Sequence, residues 1–276
     1  MIAIACKDLL FNNIEAVIFD KDGTLENSAA FWREVGIKRA RLINARIPGI
    51  AEPLLMAFGI VDNILDPTGL MAVGSREENE IAAAAYIAET GRSWFEARQI
   101  ARDAFSEAAK YLTKTPESSP LFGDSLEIIK SLKQTGLKLG ILSADSTPEV
   151  EAFVDRHQLR EYIQLNMGAD EGIHKPNPQL FVRACQRLRV ETSKTLMVGD
   201  SWGDMEMATA AGAAAAIGIE RDSNSTHLTD DTSRGRGCGI QFRTLNRPSA
   251  LRGRGRVLTN ADVRIASLLE IQIWKS

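Results

Sequence analysis

The chain is poor in the features that mark secreted, membrane-bound or nucleic-acid-binding proteins. Its three cysteines, Cys6, Cys185 and Cys238, lie far apart with no CxxC pair, which gives neither a disulfide framework nor a zinc site and fits a reducing compartment. Its three histidines, His157, His174 and His227, form no ligand spacing. The longest apolar stretch, 210–219, is about half the length a membrane helix needs. The formal net charge of −3 favours neither nucleic acid nor membrane for the chain as a whole. Residues 1–7 carry no basic leader, so no signal peptide is expected and the cytoplasm is the expected location.

What is present is ordinary for a globular protein of one or two domains: 276 residues, 44% hydrophobic and 25% charged. A short apolar run, Ala16-Val17-Ile18-Phe19, predicts a buried strand. From about residue 27 to 117 no strand is expected, and helices are predicted over 29–45, 50–58, 77–89 and 94–112. Ser93 with Glu96 reads as a capping box. After 117, helices near 124–134, 148–159, 178–188 and 205–211 alternate with strands near 137–143, 162–167, 195–198 and 214–219. Alternation of this kind implies right-handed crossovers and a doubly wound, Rossmann-like parallel sheet, an α/β fold. The helical stretch is then an insertion, a cap placed directly after the first strand. The expected division is an α/β core over 1–26 and 118–276 and a helical cap over 27–117.

Polar residues recur where strands end. Asp20 closes the first strand, with Asp22, Gly23 and Thr24 behind it; Ser143 closes another; Lys175-Pro176-Asn177-Pro178 precedes a helix; Gly199-Asp200-Ser201-Trp202-Gly203-Asp204 follows a further strand. Each has a plain alternative: a carboxylate capping a helix, a serine starting a turn, a lysine on a solvated loop. Their co-occurrence in order at strand ends of one sheet outweighs those alternatives, because ligands bind beyond the carboxyl ends of such strands. Two carboxylates two residues apart beside a glycine turn suit a nucleophile together with a hard cation.

This order of motifs, spanning residues 14–219, resembles the haloacid dehalogenase superfamily of phosphohydrolases, and the helical insertion resembles the cap of its phosphoglycolate phosphatase and β-phosphoglucomutase branch. The resemblance implies Asp20 as nucleophile and Asp22 as general acid and base. It implies Mg²⁺ held by Asp20, Asp200 and the backbone carbonyl of Asp22, with Asp204 orienting the site. Ser143 and Lys175, with backbone N–H groups near Gly23 and Thr24, would bind the substrate phosphate. If the sheet follows the family order, the strand before Asp20 is flanked by those ending at Ser143 and Val198. The expected activity is magnesium-dependent hydrolysis of a small phosphorylated metabolite, with a phosphomutase acting on a sugar phosphate as the alternative. Cap residues would select the leaving group: Leu70-Met71-Ala72-Val73-Gly74 is a candidate specificity loop. Arg33, Arg39 and Arg76 could meet an acidic leaving group, although exposed arginines are ordinarily solvated.

One segment departs from the family pattern. Residues 232–261 hold seven arginines and no acidic residue, with Arg-Gly-Arg-Gly at 234–237 and 252–255. A flexible surface insertion is expected; the alternative from another class is a binding or regulatory module using this segment, but a single aromatic, Phe242, disfavours nucleic acid. The residues after 262 are expected to supply a final strand and helix.

Overall fold

The computed structural model describes residues 2–169, 172–221, 258 and 260–275. It begins with a hairpin, β1 (Ile2–Cys6) and β2 (Leu9–Phe11). Strand β3 (Ala16–Phe19), buried at every position, then runs into the core. Next come helices α1 (Ala29–Arg46) and α2 (Ala51–Ala57), a small ribbon of β4 (Ile60–Val61) and β5 (Ile64–Leu65), and helices α3 (Leu70–Val73), α4 (Arg76–Glu89) and α5 (Trp94–Tyr111). The chain returns through α6 (Ser125–Gln134), β6 (Lys138–Leu142), α7 (Thr147–Arg156), β7 (Leu165–Met167), α8 (Pro178–Leu188), β8 (Thr195–Gly199), α9 (Trp202–Ala210) and β9 (Ala215–Ile219). The last strands are β10 (Val263–Ile265) and β11 (Ile271–Lys275).

Six strands form one parallel sheet in the order β10-β9-β8-β3-β6-β7. The fold is the expected α/β doubly wound core, with the helical cap inserted after β3. Strand periodicity builds two layers. Val17, Phe19, Leu139, Ile141, Leu196 and Val198 pack against Ile129 and Leu132 of α6 and Phe153 of α7. Ala16, Ile18, Met197 and Ala216 pack against Phe181 and Ala184 of α8 and Met205 of α9. Buried on both faces, β3 has no need of polar alternation. It lies between β8 and β6, so the ends carrying Asp20, Ser143 and Asp200 adjoin.

The cap has its own core of Ile43, Leu54, Phe58, Ile87 and Phe105. Buried alanines at Ala83, Ala84, Ala97, Ala101 and Ala104 let α4 and α5 pack closely.

Three expectations are corrected. The stretch 27–117 does contain strands, the β4–β5 ribbon turning through Asp62 and Asn63, which both have positive φ. Two-residue strands are too short for their periodicity to stand out. The capping box expected at α5 is incomplete, since Ser93 accepts from the Glu96 N–H without the reciprocal bond, whereas at α4 Ser75 and Glu78 cap each other fully. The chain ends not in a helix but in β11, which pairs antiparallel with β1. Its run Ile271-Gln272-Ile273-Trp274 has alternating, β-prone residues. The basic segment 232–261 lies almost wholly outside the described residues.

Candidate active site

Asp20 continues the line of β3: its N–H donates to the Val198 carbonyl at 2.8 Å, which fixes the carboxylate where β3 and β8 end. The chain then folds back sharply. The Lys21 carbonyl accepts from the N–H groups of Leu25 and Glu26, and the Gly23 N–H donates to the Glu26 carbonyl. Gly23 has φ +78, a conformation that glycine adopts without strain. This turn presents Asp22 beside Asp20.

Three other loops converge on the same place. Lys175, just before α8, ion-pairs with Asp20 at 2.5 Å and with Asp204 at 2.6 Å. Ser143, buried after β6, accepts through Oγ from the Asp145 N–H at 3.1 Å. Asp204 is fully buried and completes a capping box with Ser201 at the start of α9. The site depends on a close approach at Gly199, where an added Cβ would lie 2.5 Å from Asp204 Cγ. Asp20, Asp22, Ser143, Lys175 and Asp200 line one cavity of about 60 Å³. Gly23 and Thr24 are absent from its walls; the Thr24 carbonyl accepts from Arg221 at 2.7 Å instead.

Asp20, Asp200 and Asp204 offer carboxylate oxygens within 4.8 Å of one another, all three residues buried. Lys175 ion-pairs with two members of this triad, Asp20 and Asp204. Burial pushes Asp20 up to about 7 in spite of Lys175, and Asp204 adds to the rise. Hard oxygen donors crowded at this distance fit a divalent cation such as Mg²⁺. The Asp22 side chain stands outside the triad. It accepts from Lys114 at 2.8 Å, from Trp32 Nε1 at 3.0 Å and from Lys21. Burial opposes its charge, but Lys114 and Lys21 prevail and hold the carboxyl well below the usual range.

Beneath Asp22 lies a charged network that motif reasoning missed. Glu26, wholly buried, meets Arg156 at 2.6 Å, Lys114 at 3.1 Å and Lys21 at 3.4 Å. Lys21 also reaches Asp145 at 2.9 Å. Lys114 belongs to the segment leading out of the cap, whereas Glu26 belongs to the segment leading in. Their pairing ties the two crossings together. Lys21 and Glu26 flank the Asp22 motif in sequence; Lys114 and Arg156 carry no sequence signal.

Comparison with known proteins agrees with this geometry. The family model for haloacid dehalogenase-like hydrolases matches residues 14–212. The chain belongs to that family and is a hydrolytic enzyme. It is similar to a phosphoglycolate phosphatase of Yersinia pseudotuberculosis, 29% identical over 208 residues covering 73% of this chain and 79% of the relative. It is also similar to an N-acetylmuramic acid 6-phosphate phosphatase of Pseudomonas putida, 25% identical over 204 residues, 74% of this chain and 82% of the relative. Among solved structures, a haloacid dehalogenase-family phosphatase from Thermococcus onnurineus aligns with TM-score 0.57 at 19% identity, covering 93% of this chain and 95% of that one. That likeness is one of fold. Among the described residues no helix is long and apolar enough to cross a membrane.

Proposed function

We propose that this protein is a magnesium-dependent phosphatase of small phosphate monoesters, similar to phosphoglycolate phosphatase, that works through an aspartyl-phosphate on Asp20. The observation that carries the reading is the convergence of Asp20, Asp22, Ser143, Lys175 and Asp200 on one cavity. We likewise read 1–26 and 118–276 as the core and 27–117 as the cap that covers it.

An Asp20 Oδ attacks phosphorus while the ester P–O bond breaks, and the departing alkoxide takes a proton from Asp22. Asp22 then removes a proton from water; the resulting hydroxide attacks phosphorus, the P–Oδ bond breaks, and orthophosphate leaves with Asp20 regenerated. Dividing one displacement into two lowers the barrier of each. Lys175 and Ser143 bind the non-bridging oxygens, where negative charge must be matched during transfer. Asp20, Asp200 and the Asp22 carbonyl would hold Mg²⁺, with Asp204 orienting the site, and the ion would supply the charge that offsets repulsion between carboxylate and phosphate.

Asp22 has two duties with opposite protonation needs. With Lys21, Lys114 and Trp32 as donors it is ionised in the ligand-free site, ready to act as base. An arriving phosphate dianion raises the cost of that charge and favours the protonated form that the leaving oxygen requires. Hydrolysis of p-nitrophenyl phosphate with Mg²⁺ tests the assignment. Asp20→Asn abolishes turnover if Asp20 is the nucleophile; retained magnesium-dependent hydrolysis in that variant refutes it.

A further inference from the structure

Two of the donors that hold the Asp22 carboxylate come from outside its own loop. Oδ1 accepts from Lys114 Nζ at 2.8 Å and from Trp32 Nε1 at 3.0 Å, and Oδ2 accepts from Lys21. Trp32 stands on α1, just after the chain enters the cap, and Lys114 on the segment by which it leaves. Both are fixed in their turn. The Lys114 side chain is only 7% exposed and lies 4.7 Å over the Trp32 ring and 5.5 Å over that of Phe31. The Phe31 and Trp32 rings meet edge to face with centroids 5.4 Å apart. Lys114 is not spent on Glu26 alone, which Arg156 meets at 2.6 Å and Lys21 at 3.4 Å; its shorter contact is with Asp22.

An ionised carboxylate offers about four lone-pair positions, two on each oxygen. Lys114 and Trp32 fill both positions of Oδ1, whereas Lys21 fills one of Oδ2 and leaves the other. Asp22 walls the 60 Å³ cavity together with Asp20 and Lys175, and Trp32 and Lys114 wall the adjoining cavity of about 660 Å³. The donors to Oδ1 thus approach from the cap side of the reaction cavity. Proton transfer needs a hydrogen-bonding position within about 2.6–3.2 Å of the partner atom, and the position left over is on Oδ2. An aspartate held less firmly would turn about its broad χ2 well and present that oxygen only part of the time. A misplacement of about 1 Å can cost on the order of 10²-fold in rate.

We infer that Lys114 and Trp32 are positioning residues: together they saturate Asp22 Oδ1 and so aim Oδ2 as the oxygen that exchanges the proton. This rests on the phosphatase reading above and adds to it which atom of Asp22 works and what holds it in place. As the ester P–O bond breaks, the proton on Oδ2 passes to the departing alkoxide. In the second half a proton of the attacking water returns to Oδ2. Because the two donors stand on opposite crossings of the cap, the aim of Asp22 depends on both crossings.

The test compares kcat/KM, with Mg²⁺, for p-nitrophenyl phosphate, whose leaving group needs no proton, and benzyl phosphate, whose leaving group does. Wild type, Lys114→Met, Trp32→Phe, Arg156→Met and Asp22→Asn are measured alongside their thermal melts. The ratio in kcat/KM reports transition-state stabilisation from free enzyme and ester, so the later hydrolysis of a shared aspartyl-phosphate does not enter it. Lys114→Met lowers the benzyl-to-nitrophenyl ratio by on the order of 10- to 100-fold, part of the loss in Asp22→Asn. Trp32→Phe keeps an aromatic ring, removes the N–H donor and lowers the ratio by less. Arg156→Met takes a cation from Glu26 and none from Asp22, so it lowers the melting temperature and leaves the ratio at the wild-type value. A wild-type ratio in Lys114→Met or in Trp32→Phe overturns the inference and leaves the phosphatase standing. A ratio lowered as much in Arg156→Met makes the effect one of network stability and overturns it too. So does a wild type that hydrolyses p-nitrophenyl phosphate but not benzyl phosphate, or an equal loss on both esters in Asp22→Asn. No magnesium-dependent hydrolysis of p-nitrophenyl phosphate by wild type overturns the phosphatase reading, and this one with it.

Discussion

Glu26 offers the sharpest test of the network under the site. Its carboxylate is wholly buried and faces Arg156, Lys114 and Lys21, with His157 Nε2 at 3.5 Å. Burial alone would raise its pKa; the adjacent His157 imidazole and the Lys21 and Lys114 charges outweigh that and bring it from 4.5 to about 2. A depression of that size corresponds to about 3 kcal/mol, at about 1.4 kcal/mol per pKa unit. Because the folded-state value is the lower one, this stability is fully present above the unfolded value near 4.5 and is lost as pH falls toward 2. About 2 kcal/mol should remain at pH 3.5, by the same linkage. Replacing the carboxylate leaves buried Lys21 and Lys114 short of a partner, a change that costs about 3–5 kcal/mol in comparable buried pairs. Glu26→Gln is therefore expected to lower urea-unfolding stability by about 3 kcal/mol at pH 7, and the gap from wild type should narrow steadily below pH 4.5. A gap under about 1 kcal/mol at pH 7, within the range of an exposed ion pair, would refute the reasoning. So would a gap that persists unchanged at pH 3.5.

Other outcomes follow from the same geometry. Asp22→Asn removes the proton carrier, so kcat for alkyl phosphates should fall by on the order of 10²–10⁴, while p-nitrophenyl phosphate, whose leaving group needs no proton, loses far less; equal losses would remove Asp22 from this role. Mg²⁺ at a hundred times its dissociation constant should stabilise wild type by about 2.7 kcal/mol. Asp200→Asn should abolish most of that gain in a thermal melt, and an undiminished gain would place the metal elsewhere. Gly199→Ala sets a methyl group 2.5 Å from Asp204 Cγ. It should destabilise the fold by about 1–3 kcal/mol and weaken stabilisation by Mg²⁺, whereas a neutral melt would show that Asp204 can move aside.

The core was legible because parallel strands announce themselves twice. Continuous apolar runs such as Ala16–Phe19 reveal strands buried on both faces, and helices of about ten residues between them leave only crossover topology. The site was legible for the same reason, since Asp20, Ser143 and Asp200 each stand one residue past a strand. What the sequence did not disclose depends on contacts between distant segments. Two-residue strands such as Ile60–Val61 are set by the turn at Asp62 and Asn63, which local propensity does not favour strongly enough to see. The pairing of β11 with β1 joins the two ends of the chain, and no periodicity reports a partner that far away.

Charge was the least legible property, and Lys114 shows why. In sequence it is one polar residue among Thr113, Thr115 and Glu117, indistinguishable from a solvated loop. In the fold it sits against the Trp32 ring, 4.7 Å from its centroid, and joins Asp22 to Glu26. A lysine becomes informative only when its exposure is known, because an exposed pair contributes little and a buried one governs its neighbours' protonation. Arg39 follows the same rule. Sequence placed it beside Arg33 and Arg76 as one of three equivalent cap arginines. Burial separates them, since Arg33 and Arg76 hold Glu34 and Glu80 near the surface, whereas Arg39 is buried against the Phe105 ring.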